Sequence, residues 1–255
     1  MLCFSRLFFK RKNGAFLSKQ FIKVFPVSEK RIYVLFLLSF LAFFTACRND
    51  AEQVGQSEIK REIKDDLGRS VRIPEKIERA VSLAPNLTEN IFAVGAGNRL
   101  VGVTTFCNFP EEAQKIQKIG DTMNPNMETI IALKPQIVFV STASQIENFT
   151  KQIESQNIAV FVTNPTNLDG VLNNLRQLGD IFGTENQTAE LLNNLQLRII
   201  ELDEIVKNKP KVKTFVQISK EPLFTIGKDS FLTEMIERAG GVSVTKTVET
   251  AYPKL

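Results

Sequence analysis

At 255 residues the chain is long enough for one large domain or two modest ones with an ordinary core. Its apolar share of 43% and charged share of 24% belong to a folded globular protein and exclude a disordered one. Residues 1–31 carry eight basic side chains against Glu29 alone, a net +7 that leaves −3 on the rest, so the formal +4 reports a leader and argues against a nucleic-acid surface. Histidine is absent, which removes the commonest metal ligand and the usual general base together. Cys3, Cys47 and Cys107 are too scattered for a zinc site or a disulfide framework.

From Ile32 to Ala46 the only polar side chains are Tyr33, Ser39 and Thr45. That run is shorter than the about 20 apolar residues a bilayer-spanning helix needs. A buried core helix would carry a polar stripe. Lys30-Arg31 before the run and Thr45-Ala46 at its end fit a secretory signal, so residues 1–46 are assigned as leader. Thr45-Ala46-Cys47 resembles the end of a bacterial lipobox, which implies lipidation of Cys47. Phe44 stands where that motif usually has an aliphatic residue, and a start near Val27 would give a leader of ordinary length. Residues 47–60 are polar and are assigned as a flexible tether.

The folded part begins with "EIKDDLGRSVRIP", which alternates about Asp66-Leu67-Gly68 as a hairpin does. "RAVSLAP" is a short strand ending at Pro85, and Asn86 with Glu89 has capping-box spacing for a helix closing near Gly95. "LVGVTTF" is a second strand, "NMETIIALKP" a helix stopped by Pro135, and "QIVFVS" a third strand. "FTKQIESQ" is helical and "IAVFVTN" a fourth strand. Strands apolar on both faces, alternating with helices, predict an α/β lobe with a mostly parallel sheet over residues 61–165.

Leu168, Val171, Leu172, Leu175, Leu178 and Phe182 share one helical face, and a second amphipathic stretch runs from Asn186 to Lys207. Residues 166–208 are therefore expected to be linker helices. "VKTFVQIS" and "SFLTEMIERAGG" open a second α/β unit over residues 209–255, too small to bury a core alone.

"DDLGRSVRIP", "AVSLAPNLTENIFAVGAGNRLVGVT", "METIIALKPQIVFV", "LGDIFG" and "PLFTIGKDSFLTEMIERAGG", in that order, resemble the metal-chelate class of periplasmic binding proteins. The resemblance runs from about Ile63 to Leu255 and is strongest to the corrinoid-binding members. It implies two α/β lobes joined by long helices, with the second lobe incomplete here, since members continue past the position of Leu255. It also implies a substrate-binding lipoprotein of an ABC importer in the cell envelope, monomeric, with no resident cofactor. The ligand that the resemblance implies is a metal chelate such as a corrinoid or ferric siderophore. By the same resemblance the interlobe cleft is lined by Pro85, Asn86, Phe106, Thr122, Met123, Ser141, Phe224, Thr225 and Tyr252.

Phe106 and Tyr252 offer flat apolar faces to a macrocycle, although Phe106 directly after a strand also fits a core role. Pro85-Asn86 fits helix capping as well as ligand contact. Corrinoid-binding members have tryptophans at positions matching Thr122 and Ser141, and this chain has none. Glu128 matches a glutamate that docks onto the permease; it also stands in a helix's first turn, where the dipole favours it. Cys107 reads as a small buried hydrophobe, and "GKDS" lacks the spacing of a phosphate loop. Two alternatives stay open: a non-functional fragment of such a protein, and a lipid-anchored α/β hydrolase. The hydrolase lacks histidine and a G-x-S-x-G motif.

Overall fold

The hairpin forms as its alternation predicts, with β1 (Ile59–Lys64) antiparallel to β2 (Ser70–Pro74). The computed structural model describes residues 59–142 and 147–255, all within the unit Gly55–Leu255. The predicted leader, Cys47 and most of the tether lie outside the described residues. Two adjacent aspartates hook the hairpin onto the first lobe. Buried Asp65 accepts the Leu67 and Arg69 amides and pairs with the Arg69 guanidinium at 2.8 Å. Asp66 accepts the Asn164 amide at 2.6 Å and the Asn174 carboxamide at 2.9 Å, binding the turn to the start of the linker region.

Four parallel strands follow: β3 (Ala80–Ser82), β4 (Leu100–Val103), β5 (Ile137–Ser141) and β6 (Ala159–Thr163), in spatial order β4-β3-β5-β6. Successive residues of a strand face opposite sides, so each side needs a cover. Ala80, Ile137, Phe139 and Phe161 pack on one face with α1 (Pro85–Ala93) and α4 (Leu168–Phe182). Val81, Val138, Val140, Val160 and Val162 pack on the other with α2 (Met127–Ala132) and α3 (Glu147–Glu154). Phe139 sits 5.8 Å from Phe161 and 5.5 Å from Phe182 between ring centroids, which ties α4 into the first-lobe core.

Asn167 caps α4 by accepting the Gly170 amide at 2.7 Å, and left-handed Gly183 (φ 69°) ends it. α5 (Glu185–Val206) then runs back along α4 for 22 residues, roughly 33 Å at the helical rise. The two helices touch closely at Gly179, where an added Cβ would lie 2.4 Å from Thr188 Oγ1. Leu192 is buried, whereas Leu197, Ile200, Leu202 and Ile205 are exposed.

The second lobe comprises β7 (Val212–Thr214), α6 (Phe231–Arg238) and β8 (Gly241–Ser243), with β7 parallel to β8. "VKTFVQIS" is not one strand. Only its first three residues pair with β8, and the Ile218 amide instead donates to Phe224 O as the chain doubles back. Residues 223–227 in turn bond with 251–255, through Thr225 N to Pro253 O and Gly227 N to Ala251 O. Ser230, the last residue of "GKDS", caps α6 by accepting the Thr233 amide at 3.1 Å, which is what that turn is for.

Candidate functional site

Strand order fixes where a ligand can sit. From β3 the chain crosses to β4 on one side, and from β5 to β6 on the other, so the connections diverge between β3 and β5. In an open α/β sheet that divergence leaves a crevice outside the carboxyl ends of the two strands. The strands stay paired to their tips, where the Leu83 amide donates to Phe139 O at 3.0 Å.

Pro85 and Asn86 stand at the β3 side of the crevice. The capping-box expectation fails here. The cap position is Ala84, in extended backbone with no side-chain cap, and Pro85 occupies the first helical position. Proline suits that place because its missing N–H has no partner to lose. Asn86 is thus one residue inside the helix, exposed, and free of a capping duty. The Thr88 hydroxyl beneath it lies 2.9 Å from Ser82 Oγ and 3.2 Å from Cys107 Sγ, binding strand, helix and the next loop together.

The strand predicted over "LVGVTTF" stops at Val103 because Thr104 turns inward. Thr104 and Cys107 are buried with Oγ1 and Sγ 3.1 Å apart, which anchors the loop and turns Phe106 outward. Phe106 is 61% exposed, so the core alternative is excluded. Phe109, which sequence reasoning passed over, is 65% exposed on the same loop. The only sequence cue for Phe109 is a second aromatic three residues on. The Thr105 amide donates to Gly120 O at 2.9 Å and so seats this loop against the 120–126 turn. Asp121 organises that turn by accepting the Met123 amide at 2.7 Å and the Asn124 amide at 2.6 Å. Those backbone donors, Asn124 first, hold the Asp121 carboxyl below its ordinary range. Met123 is left 52% exposed and Thr122 half-buried.

Ser141 ends β5, half-buried, across the crevice from Pro85. Pro85, Asn86, Phe106, Thr122, Met123 and Ser141 thus all lie on one edge of one sheet. The second-lobe residues divide. Phe224 is half-buried and Tyr252 is 49% exposed on the paired segments 223–227 and 251–255. Thr225 is fully buried with its hydroxyl donated to Val216 O at 2.7 Å, so it supports Phe224 from behind and presents no surface. A cleft of about 800 Å³ between the start of α4 and the second lobe is lined by Asn167, Lys228, Glu234 and Lys246 among others, and by none of the predicted ligand contacts. Among the described residues no group of His, Cys, Asp or Glu is placed to hold a metal ion.

Glu128 is exposed in the first turn of α2, whose cap is Asn126, with Oδ1 accepting the Thr129 amide at 2.9 Å. The helix is thus capped by a neighbour, and Glu128 keeps its carboxylate in solvent.

The periplasmic binding protein family model matches residues 81–255. YvrC of Bacillus subtilis, an uncharacterized ABC transporter substrate-binding lipoprotein, is 32% identical over 213 residues, covering 78% of this chain and 68% of its own. The vitamin B12-binding protein of Yersinia pestis is 27% identical over 179 residues, covering 70% of this chain and 64% of its own. This chain therefore spans about two thirds of the length of these curated relatives. The crystal structure of the periplasmic vitamin B12 binding protein BtuF of Vibrio cholerae superposes with a TM-score of 0.64 at 23% identity, covering 71% of each chain. These relatives are transport binding proteins and not enzymes.

Proposed function

This chain belongs to the periplasmic binding protein family, and from that premise we propose that it is the substrate-binding lipoprotein of an ABC importer, taking up a metal chelate of the corrinoid or ferric-siderophore class. The observation that carries the reading is the cluster of exposed apolar side chains, Phe106 and Met123, braced at the carboxyl edge of the first-lobe sheet. A bulky chelate buries such faces, whereas a hydrated ion has no use for them. Asn86, Thr122 and Ser141 supply the polar part of the same wall and Pro85 an apolar edge, and the second lobe contributes Phe224 and Tyr252. The names of the relatives, one a substrate-binding lipoprotein and one a vitamin B12-binding protein, support the class.

Residues 1–46 are the leader, Cys47 the lipidated residue and 47–60 the tether. Residues 61–165 and 209–255 are the lobes, joined by 166–208. Glu128 is the docking carboxylate for the permease, and the protein works as a monomer in the cell envelope.

Isothermal titration calorimetry of the full chain against cyanocobalamin and a ferric trihydroxamate tests the proposal. Binding of at least one chelate is expected, weakened about tenfold in Phe106→Ala. Absence of heat with every chelate would overturn it.

A further inference from the structure

The loops beyond the sheet's carboxyl ends share a property that the ligand class alone does not require. Residues 83–89, 104–110, 120–126, 141–142 and 163–167 contain no lysine or arginine, and their only charged side chains are Glu89 and Asp121. Lys118, which leads into the 120–126 turn, points inward. Its ammonium donates to Cys107 O at 2.9 Å and Ala113 O at 3.0 Å. The opposite edge is mixed in charge: Lys76 and Arg79 precede β3, Arg99 precedes β4 and Lys134 precedes β5, with Glu75 and Glu78 among them and Glu78 paired to both Lys76 and Arg99. The crevice edge thus offers acids and aromatics without a cation, whereas the opposite edge carries both signs.

Phe109 belongs to this surface. Its loop is closed by the Lys118 bonds and by the Gln114 carboxamide donating to Asn108 O at 2.9 Å, with Cys107 buried beneath. A phenyl ring held outward on a braced loop offers contact area that costs little ordering on binding. Rings present a negative face, which favours an uncharged or cationic partner over an anionic one. Against that surface the first lobe gives a polyanion taken out of water no cation to pair with; Lys228 and Lys246 belong to the second-lobe side of the cleft at the start of α4.

Resting on the chelate-binding reading, we propose that the first-lobe wall selects a flat chelate carrying no net negative charge and that Phe109 is a second aromatic contact on the Phe106 loop.

The test is calorimetric titration of the full chain with dicyanocobinamide, an uncharged corrinoid, and with a ferric tris-catecholate, a trianion. The corrinoid is expected to bind at least about tenfold more tightly. Phe109→Ala should weaken the corrinoid about tenfold at unchanged melting temperature, with Phe109→Tyr restoring most of the loss. Asn86→Lys, which places a cation on the exposed rim, should narrow the preference. Equal or tighter binding of the trianion overturns the charge selection, and an unchanged corrinoid affinity in Phe109→Ala overturns the contact. Either result leaves the chelate-binding reading standing; binding of neither ligand sinks both.

Discussion

Single residues at this site act through what holds them. Glu128 has a bystander explanation, the favourable helix dipole, but its helix is already capped by Asn126, so the charge is not needed to start the turn. The proposed docking onto a cationic permease surface would use that charge directly. Glu128→Arg is expected to slow uptake in proteoliposomes containing the permease while chelate affinity stays within about twofold. A matching fall in affinity would instead place Glu128 in the ligand site. Other residues were only partly legible. Phe106 was recognisable from its motif, but its outward direction depends on Thr104 and Cys107 turning in, which no local pattern announces. Asn86 was misassigned because capping-box spacing ignores the competing preference of Pro85 for the first helical position. Thr225 looked like a contact in the sequence, yet the hydroxyl is consumed by Val216 O.

At the scale of elements, one carboxylate–guanidinium pair joins the second lobe to both linker helices. Glu234 on α6 accepts the Leu168 amide at the start of α4 at 3.2 Å and receives the Arg238 guanidinium at 2.9 Å. Arg238 also lies 3.7 Å from Asp203 on α5. Its ordinary pKa is raised, chiefly by the Glu234 hydrogen bond and then by the charges of Glu234, Asp203 and Asp169. The pair is about one-third exposed, so water screens part of its worth, and its removal should cost about 1 kcal/mol. Glu234→Ala is expected to speed amide exchange at Leu168 and lower the denaturation midpoint, with Glu234→Gln between. Unchanged exchange at Leu168 would show that the contact does not hold the lobes together. Helices α4 and α5 were legible within a residue or two, because their apolar spacing is a local signal, whereas α6 ends at Arg238, short of the close of "SFLTEMIERAGG". The strand over "VKTFVQIS" was not, since its pairing partners lie far along the chain and take only its first three residues.

For the molecule as a whole, alternation of strands and helices was enough to specify a parallel α/β lobe, and the ordered landmarks were enough to indicate the family. Strand order was hidden, because β5 joins β3 across a long excursion, and with it the position of the crevice and its freedom from lysine and arginine. That order gathers scattered residues on one edge. The most direct check is hydrogen-exchange mass spectrometry of the full chain with and without saturating cyanocobalamin. Protection is expected in 83–89, 104–110, 120–126 and 141–142, around the carboxyl ends of β3, β4 and β5. Protection confined to 76–79, 97–100 and 134–136, at the amino edge of the sheet, would contradict a ligand held between β3 and β5.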